Sequence, residues 1–197
     1  LPTVSAELAG RVVKGSNGKA CESAWHRAAH PENGWRYNLK ILIIAVGTLK
    51  EKYFREACTE YIKRLGPLVR LEIAEIREEP IEDKGQPALI QKILEGEGAR
   101  ILKRIPENAR VIPLALQGRQ LDSEAFAACL NPASNPRHTN TVFIIGGSHG
   151  LSKEVLRQAA WCLNFSPMTF PHQLVRVMLL EQIYRAEMIL AGRTYHK

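Results

Sequence analysis

From Leu39 onward the apolar positions of this chain alternate between two rhythms. Lys40 to Val46 is nearly all Ile, Leu and Val, the pattern of a strand covered on both faces. Glu51 to Leu65 places Tyr53, Phe54, Ala57, Cys58, Tyr61, Ile62 and Leu65 at helical spacing, and Gly66-Pro67 stops that helix. Val69 to Ile76 alternates apolar and charged residues, which predicts a half-buried strand near a sheet edge. After a polar loop from Glu78 to Gln86, a second helix runs from about Pro87 to Ile105. Leu89, Ile90, Ile93, Leu94, Ile101 and Leu102 mark its inner face.

The rhythm continues with a strand at Arg110 to Leu116, a turn at Gln117-Gly118-Arg119, and a helix capped by Asp122 or Ser123. A loop rich in Asn and Pro, Asn131 to Asn140, leads to a buried strand at Thr141 to Ile145. Leu151 to Ala160 reads as a helix capped by Ser152, Cys162 to Phe165 as a short last strand, and Gln173 to Ala191 as the longest helix. This alternation predicts an α/β fold: a mostly parallel sheet with helices on both faces.

With 197 residues, 45% of them hydrophobic, the chain has room for one well-cored domain. Residues 1–38 lack either periodicity and carry scattered Gly, Ser, Asn, Trp and His. We expect them to be a disordered extension, or the product of a start called too early, with the domain proper spanning residues 39–197. They have neither the apolar core of a signal peptide nor the composition of a transit peptide. No apolar run approaches the roughly 18 residues of a membrane span. The formal net charge is +7, of which the first 38 residues carry only +2, so the basic character belongs to the body. That balance favours an anionic partner such as nucleic acid. Cys21, Cys58, Cys129 and Cys162 are too widely spaced for a zinc site, and free thiols in a reducing cytoplasm are the expected state.

Two segments concentrate the chemistry. In Ile145-Gly146-Gly147-Ser148-His149-Gly150 a buried strand breaks into a glycine turn at the mouth of a helix, where backbone N–H groups attract anions. The turn matches neither GxGxxG nor a P-loop, and a plain strand-to-helix turn would use the same small residues. His149 is expected to face solvent. The second segment, Phe165-Ser166-Pro167-Met168-Thr169-Phe170-Pro171-His172, is stiff and leads into the apolar last helix. Open α/β sheets hold small ligands at such loops beyond the carboxyl ends of their strands.

The last helix is apolar around nearly its whole circumference, as expected if one face meets the sheet and another a partner subunit. Arg176, one turn beyond Pro171-His172, sets a fixed cation near the ligand loop, and a purely structural role for it fits the sequence equally well. Glu181 and Arg185 stand at i,i+4 and read as a helix-supporting pair. The tail Arg193-Thr194-Tyr195-His196-Lys197 suits stacking on RNA, and equally a frayed terminus.

Six ordered segments together resemble one family: Ala45-Val46-Gly47-Thr48, Tyr61-Ile62-Lys63-Arg64-Leu65, Leu114-Ala115-Leu116-Gln117-Gly118, Ile145 to Leu151, Met168 to Gln173, and Glu181-Gln182-Ile183-Tyr184-Arg185-Ala186. It is the bacterial ribosomal large-subunit methyltransferase H family of the SPOUT superfamily, and the resemblance runs from Leu39 to Lys197. It implies an α/β fold with a C-terminal trefoil knot, which general folding rules would not suggest. It implies a cytoplasmic homodimer that acts on the assembled ribosome. The implied reaction is methyl transfer from S-adenosyl-L-methionine to N3 of pseudouridine 1915 in 23S ribosomal RNA. Carried over by position, the donor meets Leu114, Gly146 and the run Phe165, Ser166, Pro167, Met168, Thr169, Phe170.

The apolar residues Leu114, Leu151, Phe165 and Met168 could wall an adenine. The methyl of such a donor is already activated, so no metal is expected. An imide nitrogen attacks more easily after losing its proton. His172, Arg176 and His196 are the candidates to take that proton or stabilise the anion, on their placement alone. Two other readings compete: a different nucleotide-using enzyme, and a non-catalytic protein that binds RNA or the ribosome.

Overall fold

The computed structural model describes residues 39–79, 86–134 and 140–193. Four strands, β1 (Lys40–Val46), β2 (Arg70–Ile76), β3 (Arg110–Arg119) and β4 (Asn140–Ile145), are joined by helices. The helices are α1 (Lys52–Leu65), α2 (Pro87–Leu102), α3 (Ser123–Leu130), α4 (Lys153–Arg157) and α5 (His172–Leu190). The sheet order is β2-β1-β4-β3 and every pair is parallel. This is the α/β sheet that the sequence pattern predicts, with β2 at an edge.

The sheet splits the core into two layers by simple alternation. Leu39, Ile41, Ile43 and Ala45 point to one side with Ile112, Phe143 and Ile145, against Cys58 and Leu65 of α1, Phe126 and Leu130 of α3, and Leu179, Leu180 and Ile183 of α5. Ile44, Val46, Val111, Val142 and Ile144 point to the other side, against Ile101 of α2 and Val155 of α4. The central strands β1 and β4 are covered on both faces, which is why their sequences are unbroken apolar runs. Asp122 caps α3, its Oδ1 accepting from the Ala125 N–H at 2.7 Å. Ser152 caps α4, its Oγ accepting from the Val155 N–H at 3.3 Å.

The structure departs from the sequence pattern along β3. The turn expected at Gln117-Gly118-Arg119 is instead a continuation of the strand. Beyond Pro113, which faces Ile144 on β4, the strand finds its partner in the segment before Phe165. The Arg119 N–H donates to the Cys162 carbonyl at 2.7 Å, and the Asn164 N–H donates to the Arg119 carbonyl at 2.9 Å. A Cβ on Gly118 would stand 2.6 Å from the Leu163 carbonyl carbon, so only glycine admits this approach. The last strand expected at Cys162 to Phe165 shrinks to bridges at Leu163, which pairs with both Leu114 and Arg119. Helix α4 is likewise shorter than its pattern, because by Ala160 the backbone has turned to donate to the Val111 carbonyl at 2.9 Å.

Tyr53 and Ile62 depart as well. Both belong to the apolar positions that the helical spacing marks in α1, yet both stand exposed, while Cys58 and Leu65 carry the packing. Residues 1–38 lie outside the described residues.

One buried group on α5 has consequences for stability. Glu187 is 8% exposed, and its Oε1 has no hydrogen-bond partner among the described residues. Burial pushes its carboxyl up from 4.5 to about 7. The folded chain therefore keeps this proton to a higher pH than the unfolded chain, so the contribution to stability falls as pH rises between those values. Glu187→Gln removes the titration. In urea titrations the stability of the variant should gain on the parent by about 3 kcal/mol between about pH 4 and about pH 8.

Candidate functional site

The two segments singled out in the sequence meet at the carboxyl end of the sheet. They bound a cavity of about 470 Å³ between the glycine turn after β4, the outer half of β3 and the chain from Leu163 to Val175. Gly146 is required by the turn itself: a Cβ there would lie 2.4 Å from the Gly150 carbonyl oxygen, so a side chain would force the turn apart. Across the cavity Asn164 fixes the second segment. Its Nδ2 donates to the Leu116 carbonyl at 2.8 Å and its Oδ1 accepts from the Ser166 N–H at 2.9 Å. The Ser166 hydroxyl in turn accepts from the Met168 N–H at 3.0 Å. A run that looks like a loop is therefore held by a ladder of side-chain bonds.

A charged frame surrounds the junction of β1 with α5. Arg176 is buried, and its Nη2 donates to the Gly47 carbonyl at 2.9 Å while Nη1 pairs with Glu75 at the end of β2. The α5 helix is thereby tied to the ends of two strands. Gly47 has φ +83°, and a Cβ there would stand 2.8 Å from Cε1 of His172, the first residue of α5. Burial pulls the His172 pKa below its ordinary value, with the Arg176 and Lys50 charges adding to the drop and Glu78 opposing it. His172 therefore favours the neutral imidazole that can accept a proton near pH 7.

Two carboxylates support the glycine turn from the β2 side. Glu78 Oε1 accepts from the Ser148 hydroxyl at 2.9 Å. Glu97, on α2 and 4% exposed, accepts from the Glu79 N–H at 3.0 Å, and burial raises its pKa. Its Oε2 lies 3.5 Å from the place a Cβ of Gly147 would take.

Of the residues proposed from sequence, Leu114, Gly146, Phe165, Ser166, Met168, Thr169, Phe170 and His172 line the cavity. Pro167 sits within the same segment without lining it, and Arg176 stands behind the wall, engaged with Glu75 and Gly47. His196 lies outside the described residues. Leu151, expected as an apolar wall, packs instead into the α2–α4 side of the core. His149 is half-buried rather than solvent-facing, with its Nε2 shut from water. Asn164, Glu78 and Glu97 went unnoticed in the sequence. Nothing local marks the two glutamates, whereas Asn164 directly before Phe165 could have been read as a side chain bonding its own backbone two residues on. Among the described residues no group of three His, Cys, Asp or Glu is placed to hold a metal ion. No helix among them is long and apolar enough to cross a membrane.

A parallel α/β sheet with a glycine turn and a stiff loop closing one cavity at its carboxyl end is the arrangement in which open α/β sheets hold small ligands. The profile of the predicted SPOUT methyltransferase family matches residues 39–196, and the chain belongs to that family. Among solved structures it is similar to the SpoU methyltransferase AviRb from Streptomyces viridochromogenes, at 14% identity and a TM-score of 0.39, over 80% of this chain and 62% of that one. A second structure of AviRb, in complex with the cofactor AdoMet, matches at 14% identity and a TM-score of 0.38, over 78% of this chain and 60% of that one. The chain thus spans less than two thirds of the length of the solved protein it matches.

The electrostatic frame is open to direct test. Glu78 is the charge that raises the His172 pKa, so Glu78→Gln should lower the midpoint of the imidazole titration. In the parent that midpoint should already lie below the ordinary histidine value of about 6.5. Both are read from the His172 ring protons by NMR.

Proposed function

We propose that this chain is an S-adenosyl-L-methionine-dependent methyltransferase of the ribosomal large-subunit methyltransferase H type, modifying N3 of pseudouridine 1915 in 23S ribosomal RNA. The observation that carries the reading is the cavity itself, in which eight of the site residues inferred from sequence come together between the glycine turn and the 165–170 segment. Family membership supports the reaction class.

The residues fit the donor. Gly146 lets the turn fold tightly onto Gly150 and so holds one backbone wall of the cavity in place, while Leu114, Phe165 and Met168 offer apolar surface suited to an adenine. When bound, the donor supplies a methyl already activated by its sulfonium. The rest of the task falls to the chain. The bonds of Asn164 and Ser166 hold the loop in one shape, so the acceptor can be aligned for in-line attack, an effect worth on the order of 7–11 kcal/mol. Neutral His172, on the cavity wall, accepts the N3 proton. Arg176 acts as a positioning residue, fixing the first turn of α5 and with it His172. His196 stays in the proposal as a second acceptor on sequence alone.

The same reading includes a single domain over residues 39–197, a C-terminal trefoil knot, a cytoplasmic setting and a homodimer on the ribosome. A depression of about 550 Å³ lined by Tyr61, Phe126, Val177 and Met178 supports a second copy packing on the α1–α3–α5 layer.

Thermal shift tests the donor: S-adenosyl-L-methionine and its demethylated product should raise the unfolding midpoint, and NAD and ATP should not. Labelled donor with ribosomes lacking the modification should then transfer label to 23S RNA. His172→Ala should lower kcat by roughly 10²–10⁴ at saturating donor. Ribosome binding without label, or an unchanged kcat in that variant, contradicts the reaction or the base. Gly146→Ala, by forcing the turn away from the Gly150 carbonyl, should abolish the donor-induced shift while the chain still unfolds cooperatively.

A further inference from the structure

We infer that the first turn of α1 is a stacking platform for an unpaired base of the RNA substrate, built on Tyr53 and flanked by Lys50 and Lys52; the inference rests on the reading of RNA as substrate. Four large hydrophobic side chains stand exposed among the described residues: Tyr53, Ile62, Leu116 and Met168. Leu116 and Met168 line the cavity. Tyr53 is tied to that cavity through the chain: three residues before it, the Lys50 N–H donates to the side chain of the cavity-lining Gln173 at 2.9 Å.

The tyrosine is presented rather than stranded. It is 60% exposed, and the Phe54 ring stands 4.4 Å from its own, limiting where it can swing. Arg55 stiffens the turn beneath it, with Nη1 donating to the Leu49 and Lys50 carbonyls at 2.9 and 2.6 Å. Lys50 lies close enough for its charge to be felt at His172, so a strand of RNA lying on Tyr53 would lead toward the base-bearing end of the cavity. The Lys52 ammonium is largely in water, paired at 3.4 Å on the surface with Glu56, a contact that a phosphate can displace.

Charge decides the kind of partner. Apart from the Phe54 ring, the residues next to Tyr53 along the chain are Lys50, Glu51, Lys52, Arg55 and Glu56, so a protein docked there would have to desolvate charges around one small aromatic pair. A base needs only the exposed ring face, with cations for its phosphates. That combination binds single-stranded nucleic acid whatever its sequence.

The test uses the full chain and its Tyr53→Ala and Tyr53→Phe variants. Tyr53→Ala should raise KM for ribosomes about tenfold, and Tyr53→Phe should stay within about twofold of the parent. In both, kcat, the donor-induced thermal shift and the sedimentation coefficient should be unchanged. A labelled single-stranded uridine oligonucleotide should bind Tyr53→Ala about tenfold more weakly than the parent. With 4-thiouridine in it, irradiation should crosslink it to the parent peptide carrying Tyr53. An unchanged KM and oligonucleotide affinity in Tyr53→Ala overturns the platform, as does crosslinking only at other peptides. A changed sedimentation coefficient also overturns it, by making this face a contact between copies. Should ribosomes go unmethylated by the parent, the oligonucleotide results still decide the platform, so the two readings fail separately.

Discussion

Backbone packed against backbone, closer than any Cβ would allow, is the constraint on which the ligand-facing half of this protein depends. At Gly118 the outer part of β3 meets Cys162 and Leu163, and at Gly146 the turn after β4 folds onto Gly150. The first contact brings Asn164 to the Leu116 carbonyl, and from there the bonds to Ser166 and Met168 shape one wall of the cavity. The second shapes the opposite wall. A methyl group at either place would separate elements whose closeness defines the site.

Electrostatics complete what packing begins. Arg176 lies against the ends of β1 and β2, its Nη atoms satisfied by Glu75 and the Gly47 carbonyl and its Nε without a partner among the described residues. A buried charge kept under such terms is costly unless both bonds persist, so the junction between the sheet and α5 has little freedom. His172 begins the helix that Arg176 anchors, which makes its neutral state and its position two results of one arrangement. Glu78 touches both halves, bonding Ser148 in the glycine turn and setting a negative charge toward His172.

How legible this was in the sequence depended on whether each residue's partners were general or particular. β1 and β4 could be read because burial on both faces demands apolar residues at every position, whichever neighbours supply the burial. The caps at Asp122 and Ser152 were readable because their bonds span three residues. Gln117-Gly118-Arg119 misled because its partner, Cys162 to Asn164, is far along the chain, and a glycine serving close approach looks like one serving a turn. Glu75 and Arg176 lie 101 residues apart, and no periodicity could join them. The outward ring of Tyr53 shows the same limit from the other side: helical spacing gives a face, not what lies against it. Within the site, the glycine turn and the 165–170 segment were recognised through a whole-domain resemblance, since neither motif is specific alone.

The central claim is that these two walls form one pocket for a sulfonium nucleoside. A crystal structure of the protein soaked with S-adenosylhomocysteine tests it most directly. The account predicts density between the Gly146 turn and the Phe165–Phe170 segment, with the homocysteine sulfur on the side of His172. Density at another place on the molecule, or a cavity that stays free of the compound at saturating concentration, would contradict it.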